Sequence, residues 1–150
     1  MNKRILYIDM DGVLADFLGA FEQEPRDIRI KYKNRKDDVP GMFSKMLPMP
    51  GAIESYKILC KRFDVFILSS APWNNPSAWY DKLEWVKKFL GENATKKLIL
   101  SHRKDLNIGA YLIDDRWQNG AREFKGTWLH FGENGKFSDW NAIMKYFNNI

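Results

Sequence analysis

Four aspartates of this chain lie in two short motifs, and each motif directly follows an apolar run of the kind that forms a buried strand. The first motif is DMDG at residues 9–12, after residues 4–8, and the second is DD at residues 114–115, after residues 110–113. Carboxylates at the ends of buried strands cost stability unless a positive charge meets them. A cation is therefore expected beside these acids, and Gly12 indicates a sharp backbone turn.

Polar side chains also follow two further apolar runs. Ser69 and Ser70 come after residues 64–68, and Lys104 follows soon after residues 97–100. In an open parallel sheet, ligands bind beyond the carboxyl ends of the strands. The sequence therefore predicts that four acids, two hydroxyls and a lysine converge on one edge of a sheet.

This predicted cluster has the composition of a phosphate site that contains a metal ion. Four carboxylates in one crevice repel each other unless a divalent cation offsets their charge, and oxygen ligands without clustered histidine or cysteine favour Mg²⁺. Lys104 and Ser69 would supply the charge and the donor that phosphoryl oxygens attract. A lone D-x-D-G is equally typical of a turn or a calcium-type loop, so the prediction depends on the conjunction of the motifs.

The strands that must position these residues are predicted from short apolar runs. They lie at residues 4–8, 64–68, 97–100, 110–113 and 127–131. Apolar stripes at helical spacing alternate with them. The alternation predicts an α/β sandwich around a mainly parallel sheet.

The helical stripes number three. Their members are Ala52, Tyr56, Leu59, Cys60 and Phe63; Trp79, Leu83, Val86 and Leu90; and Trp140, Ile143, Met144 and Phe147. Each stripe is expected to pack into the core. Ser77 is the predicted N-cap of the second helix and Gly91 its end, and Ser138 or Asp139 is expected to cap the third.

One interval, from about residue 18 to residue 48, breaks this alternation. It is charged, includes the segment RDIRIKYKNRKDD, and is too long for a simple strand-to-helix connection. We expect a single domain over residues 1–150, with a core formed by residues 1–17 and 49–150. The interval 18–48 is then a small cap inserted after the first strand and folded over the strand ends.

Composition narrows the classes of function. The chain has 150 residues, of which 45% are hydrophobic, and this indicates a globular protein. No apolar run approaches membrane-spanning length and no secretory signal pattern is present, so we expect a cytoplasmic protein without a membrane partner. The net charge of +5 favours anionic partners, which are phosphorylated small molecules, nucleic acid or acidic surfaces, and is equally typical of ordinary surface charge.

The motifs resemble, in chain order, the four motifs of the haloacid dehalogenase (HAD) superfamily of phosphohydrolases. They are DMDGVLADF, ILSSAP, the region of Lys104 and LIDDR. Within the superfamily, the chain is similar to the 5′(3′)-deoxyribonucleotidases. The resemblance implies a three-layer Rossmann-like fold with a cap after the first strand. It also implies a Mg²⁺-dependent phosphomonoesterase that forms an aspartyl phosphate and dephosphorylates (deoxy)nucleoside monophosphates.

The resemblance implies a role in phosphoryl transfer for five motif residues. Asp9 corresponds to the nucleophile that attacks phosphorus. Asp11 corresponds to the general acid for the leaving alcohol and then the base for water. Ser69, Ser70 and Lys104 correspond to the residues that bind the phosphoryl group.

It also implies the metal ligands and one substrate contact. Asp115, the carboxylate of Asp9 and the main-chain oxygen of Asp11 correspond to the Mg²⁺ ligands, and Asp114 supports them from outside the ligand set. Phe17 corresponds to an aromatic position near the substrate.

Other functions remain open at this point. The basic insert favours a phosphatase that acts on nucleic-acid ends, and another small phosphorylated metabolite is a further alternative substrate. A receiver-type signalling domain also gathers acids, a hydroxyl and a lysine at strand ends and accepts a phosphoryl group. Its acid pair comes early and its lysine late, whereas here the acid pair follows Lys104. A silent binding module is disfavoured because no motif position is lost.

Overall fold

A five-stranded parallel sheet forms the centre of the computed structural model, which describes residues 2–150. Its strands are β1 (Ile5–Ile8), β2 (Asp64–Ser69), β3 (Leu98–Leu100), β4 (Tyr111–Asp114) and β5 (Thr127–His130). They lie in the order β3-β2-β1-β4-β5. The predicted strands and the parallel sheet are therefore confirmed.

Strand β1 lies between β2 and β4, whose ends carry two of the other three motifs. Ile8, its last residue, pairs with Ile67 of β2 on one side and with Ile113 of β4 on the other. Parallel strands in register end at the same edge of a sheet. The residues that follow these three positions therefore meet at one edge.

Five α-helices occur in the described part of the chain. They are α1 (Phe17–Glu22), α2 (Arg26–Lys31), α3 (Ala52–Arg62), α4 (Pro76–Leu90) and α5 (Trp140–Asn148). None of them is both long and apolar enough to cross a membrane.

The sheet lies between a helical layer and a thinner layer of turns. Successive strand residues point to opposite faces, so Leu6 and Ile8 join the core under α3, α4 and α5, whereas Tyr7 joins a smaller cluster on the other face. Phe124, from the turns at 117–126, covers that second cluster. The α/β sandwich is confirmed, with this second outer layer built from turns.

Helix α4 differs from its prediction in two respects. Ser77 is not the N-cap, because Pro76 already occupies the first turn, where its missing N–H and restricted φ fit. The Ser77 hydroxyl instead accepts from the N–H of Gly41 and donates to Asn75. The predicted start of α5 is confirmed, because Asp139 caps this helix by accepting from the N–H of Ala142.

Half of the stripe predicted for α4 is buried, since Val86 and Leu90 lie in the core. Trp79 is 37% exposed and Leu83 is 41% exposed. The face that packs inward is shifted around the helix and consists of Ala78, Lys82, Trp85, Val86 and Leu90. A fully buried lysine in this set interrupts the apolar pattern, so the prediction is correct for Val86 and Leu90 and wrong for Trp79 and Leu83.

The interval 18–48 contains all of α1 except its first residue, Phe17, together with α2 and two 3₁₀ turns, and it packs against α4. Val39, Met42 and Phe43 are buried and belong to the main core. Trp85 Nε1 donates to the carbonyl of Met46 at 2.9 Å. The interval thus has an apolar contact surface of its own, although its sequence lacks a periodic stripe.

Candidate active site

Lys104 joins the first motif to the last. Its Nζ donates to Asp9 Oδ1 at 2.8 Å and to Asp114 Oδ2 at 2.5 Å, and the side chain is only 4% exposed. Asp9 directly follows β1 and Asp114 ends β4, so the parallel register of the strands places both carboxylates at the same edge. A buried cation thus contacts two residues that are far apart in sequence.

Three carboxyl groups form a tight cluster at this edge. Oxygen atoms of Asp9, Asp114 and Asp115 all lie within 4.8 Å of one another. Both oxygens of Asp114 are engaged, Oδ2 with Lys104 and Oδ1 with the N–H of Arg116. Asp115 Oδ1, in contrast, is buried and has no hydrogen-bond partner among residues 2–150. The unpaired oxygen is a site at which a bound cation would compensate the cost of burial.

The acids in this cluster have strongly different proton affinities. Burial tends to raise the pKa of Asp9, but the charge and hydrogen bond of Lys104 outweigh it and hold that pKa below its usual range. Burial and the charge of Asp9 raise the pKa of Asp114 to about 7, and the same causes together with Asp114 raise that of Asp115 to about 9. Asp9 is thus the acid that the protein itself keeps ionised.

A second buried lysine, Lys82, lies on the other side of the first motif. Its Nζ donates to Asp11 Oδ2 at 2.7 Å, to Ser69 Oγ at 2.7 Å and to the carbonyl of Ser70 at 2.9 Å. The sequence motifs do not identify this residue as part of the site. The available signal was a lysine four positions after Ala78, on what proves to be the apolar face of α4.

The two remaining candidates occupy different places. The hydroxyl of Ser70 donates to the carbonyl of Ser101 at 2.8 Å, so that only its main chain faces Lys82. Phe17 begins α1 and packs on Phe43 at 5.6 Å between ring centroids. The Phe43 ring in turn lies 5.0 Å from Lys82 Nζ. Phe17 therefore borders the cluster through Phe43.

The charges of the site match a divalent cation. When ionised, Asp9, Asp114 and Asp115 carry three negative charges and Lys104 carries one positive charge, so two negative charges remain at the cluster. The donor set consists of oxygen atoms, which suit Mg²⁺. Together with the unpartnered oxygen of Asp115, this balance indicates that the residues fit such an ion.

Known proteins with similar sequences are nucleotidases. The sequence model of the family described as 5′ nucleotidase, deoxy (pyrimidine), cytosolic type C protein matches residues 24–143. A protein of Vibrio phage KVP40 assigned as a 5′(3′)-deoxyribonucleotidase is 50% identical over 145 residues, which cover 97% of this chain and 85% of that protein. The human cytosolic 5′(3′)-deoxyribonucleotidase is 28% identical over 158 residues, covering 86% of this chain and 78% of the human protein.

Solved structures with a similar fold are HAD hydrolases. YfnB of Bacillus subtilis, solved with bound magnesium, has a TM-score of 0.66 at 13% identity and covers 99% of this chain and 100% of that chain. A hydrolase of the haloacid dehalogenase-like family from Streptococcus pneumoniae has a TM-score of 0.59 at 14% identity, covering 96% and 90%. These structures support the fold, and the sequence matches support the family. The chain belongs to the 5′(3′)-deoxyribonucleotidase family and is a phosphatase enzyme.

Proposed function

We propose that this protein is a Mg²⁺-dependent nucleotidase that hydrolyses (deoxy)nucleoside monophosphates through an aspartyl phosphate on Asp9. The observation that carries the proposal is the arrangement of the buried Asp9 carboxylate. It accepts a hydrogen bond from Lys104, and it lies within 4.8 Å of Asp115, whose Oδ1 has no hydrogen-bond partner among residues 2–150. The nucleotide substrate is supported by the names of the phage and human relatives.

In the first step, a carboxylate oxygen of Asp9 attacks phosphorus and the bond from phosphorus to the ester oxygen breaks. Asp11 gives its proton to the departing oxygen. Burial raises the pKa of Asp11 although Lys82 opposes the shift, and this favours the protonated form that an acid needs. In the second step, Asp11 takes a proton from water and the water oxygen bonds to phosphorus. The bond from phosphorus to the Asp9 oxygen then breaks, which restores the carboxylate and leaves inorganic phosphate.

Asp9, Asp115 and the main-chain oxygen of Asp11 would hold the metal ion. When bound, Mg²⁺ supplies positive charge that offsets the repulsion between the carboxylates and the phosphate. Asp114 has both oxygens engaged, so its part is to fix Lys104 beside Asp9. Lys104 and Ser69 would bind phosphoryl oxygens, and we propose that Ser70 contributes its main chain. Phe17 and the cap at 18–48 would border the nucleoside.

A substrate screen tests this proposal. Phosphate release is measured with Mg²⁺ from 5′- and 3′-monophosphates of deoxynucleosides and ribonucleosides, and from a sugar phosphate. We expect the highest kcat/KM with a deoxynucleoside monophosphate, and no release when EDTA replaces Mg²⁺. A preference for the sugar phosphate would contradict the proposed substrate class, and activity in EDTA would contradict the role of the metal.

One observation favours a second candidate substrate, the phosphorylated end of an oligonucleotide. Six basic residues of the insert lie on or near α2, which buries none of its residues: Arg26, Arg29, Lys31, Lys33, Arg35 and Lys36. Such a surface attracts nucleic acid in a salt-dependent manner. A lower KM for end-phosphorylated oligonucleotides than for mononucleotides, rising steeply with salt, would identify this substrate. A KM independent of salt would exclude it.

Mg²⁺ is expected to stabilise the folded protein. An ion at 100 times its Kd contributes about 2.7 kcal/mol, which corresponds to a rise in Tm of about 5–10 °C for a chain of this size. The raised pKa values of Asp114 and Asp115 mean that the folded metal-free protein binds more protons than the unfolded chain between about pH 4 and 9. Its stability should fall as pH rises through this interval.

Scanning calorimetry at pH 6 and pH 8 measures both effects. Because Mg²⁺ displaces the protons held by these acids, the rise in Tm should be larger at pH 8. In Asp115→Asn, most of the rise in Tm caused by Mg²⁺ should be lost. A rise in Tm equal to that of the wild-type protein would show that the ion binds elsewhere.

Gly12→Ala is expected to weaken Mg²⁺ binding. Gly12 has φ of +79°, and a Cβ there would lie 2.3 Å from Asp115 Oδ2. The added methyl group must therefore displace the carboxylate, which should weaken Mg²⁺ binding about 10–100-fold. Gly41→Ala is the matched control, because Gly41 has φ of +77° and open space around it.

Both variants should lose about 1–2 kcal/mol of unfolding free energy from backbone strain, measured by denaturant titration. Only Gly12→Ala should show weaker Mg²⁺ binding by calorimetry. Unchanged affinity in Gly12→Ala would argue against Asp115 as a ligand.

A further inference from the structure

We propose that Lys82 is a positioning residue that orients the Asp11 carboxyl and the Ser69 hydroxyl for phosphoryl transfer. The inference rests on the proposed function, since it assigns Lys82 to the two groups that would handle the leaving oxygen and the phosphoryl group. Lys82 belongs to none of the four sequence motifs.

The hydrogen bonds of Lys82 use its full donor capacity. An ammonium group has three N–H donors, and Nζ has three oxygen acceptors within 2.9 Å, on Asp11, Ser69 and Ser70. The side chain is completely buried, and the Phe43 ring lies 5.0 Å from Nζ. The position of the ammonium group is therefore determined by its partners and the surrounding core.

The contact with Asp11 selects one oxygen of that carboxyl. Lys82 holds Oδ2, whereas Oδ1 is buried and has no hydrogen-bond partner in the described part of the chain. A carboxyl that is anchored through one oxygen presents the other in a defined direction. Oδ1 is thus the atom available to carry the proton to the leaving oxygen.

The contact with Ser69 selects the direction of its hydroxyl proton. Because Oγ accepts from Lys82, the Ser69 O–H must point away from Nζ. Within residues 2–150 the structure records no hydrogen bond donated by this hydroxyl. The O–H is therefore free to donate to a phosphoryl oxygen, which can only accept.

Packing alone does not explain a cation at this position. The other inward residues of α4 are Ala78, Trp85, Val86 and Leu90. A methionine of similar length would fill the same space in the core without the cost of removing a charge from water. The site has a specific use for the ammonium group, whereas the core does not require it.

The test compares Lys82→Met and Lys82→Arg with the wild-type protein on two substrates in the presence of Mg²⁺. One is a deoxynucleoside monophosphate, whose alkoxide needs a proton to depart, and the other is p-nitrophenyl phosphate, whose phenolate does not. kcat/KM reports events up to cleavage of the ester bond. A loss of proton donation through Asp11 therefore affects the nucleotide more, and a loss of donation from Ser69 affects both substrates.

For Lys82→Met we expect kcat/KM to fall about 10²–10³-fold with the nucleotide and about tenfold with p-nitrophenyl phosphate. Lys82→Arg keeps the charge but not the geometry, so it should restore part of both losses. Lys87→Met is the control, because Lys87 lies on the same helix, is exposed, and within residues 2–150 forms its one ion pair with Glu84 at 3.9 Å. It should retain wild-type activity on both substrates.

The results that would overturn the role of Lys82 differ from those that would overturn the proposed function. Equal losses on the two substrates, or wild-type activity in Lys82→Met, would overturn the role of Lys82 and leave the proposed function intact. A wild-type protein without phosphatase activity would overturn both. If Lys82→Met does not fold, as judged by circular dichroism, Lys82→Arg decides the question, and the absence of a larger loss on the nucleotide then overturns the inference.

Discussion

Asp9→Asn should lower kcat for a nucleoside monophosphate by roughly 10⁴-fold or more, because an amide cannot replace the carboxylate as nucleophile. The substitution is nearly isosteric and leaves Lys104 paired with Asp114 at 2.5 Å, so the fold should persist. Phosphate release at saturating substrate and Mg²⁺ measures the effect. The loss should appear in kcat, since the residues that bind the phosphoryl group remain.

Asp27→Asn provides the matched control for this variant. Asp27 is an exposed carboxylate in the first turn of α2, and within residues 2–150 it forms no side-chain hydrogen bond or ion pair with the site residues. It should retain wild-type kcat. Metal-dependent hydrolysis by Asp9→Asn at more than a few per cent of the wild-type rate would require another nucleophile, and the assignment of Asp9 would then be wrong.

Lys104→Met should impair both activity and stability. The variant removes the cation that pairs with Asp9 and Asp114, and breaking one partner of a buried ion pair costs about 3–5 kcal/mol. Without this charge the attacking carboxylate and the phosphate repel each other. We therefore expect kcat/KM to fall about 10²–10³-fold.

The pH dependence of this variant follows from the acids that it leaves unpaired. Removal of Lys104 raises the pKa of Asp9 and of Asp114 in the folded state, because a charge that lowers each of them is lost. The folded variant then binds more protons than the unfolded chain above about pH 4, and its stability falls as pH rises. Denaturant titrations should show a larger deficit at pH 8 than at pH 5.

Mg²⁺ distinguishes this explanation from a general packing defect. The ion supplies positive charge to the same carboxylates, so it should stabilise Lys104→Met more than the wild-type protein. Lys88→Met, at an exposed position of α4, should show neither deficit. A deficit in Lys104→Met that is independent of both pH and Mg²⁺ would contradict the electrostatic role of this lysine.

The strands and the motif acids could be predicted from sequence because both depend on short local patterns. An apolar run that ends in aspartate defines a strand and its functional end within a few residues, as in residues 4–8 followed by Asp9. The parallel topology then places these ends together without further information. Asp9, Asp114 and Asp115 indeed lie within 4.8 Å of one another.

Lys82 and the packing of the insert could not be predicted in this way. The side chain of Lys82 is charged, so its place on the inward face of α4 depends on acceptors at Asp11 and Ser69, which are remote in sequence. Because the face of α4 that contains Lys82 packs inward, Trp79 and Leu83 of the same helix are exposed. The insert buries Phe43 through tertiary contacts with α4 and α1, and no periodic stripe records such contacts.

A crystal structure with Mn²⁺ in place of Mg²⁺ and with inorganic phosphate would test the convergence of these acids on one ion most directly, through the anomalous scattering of the metal. We expect a single anomalous peak, at the position of a metal ion that contacts carboxylate oxygens of Asp9 and Asp115 and one oxygen of the phosphate. A metal peak away from these two carboxylates, or a phosphate that does not contact the metal, would contradict this convergence.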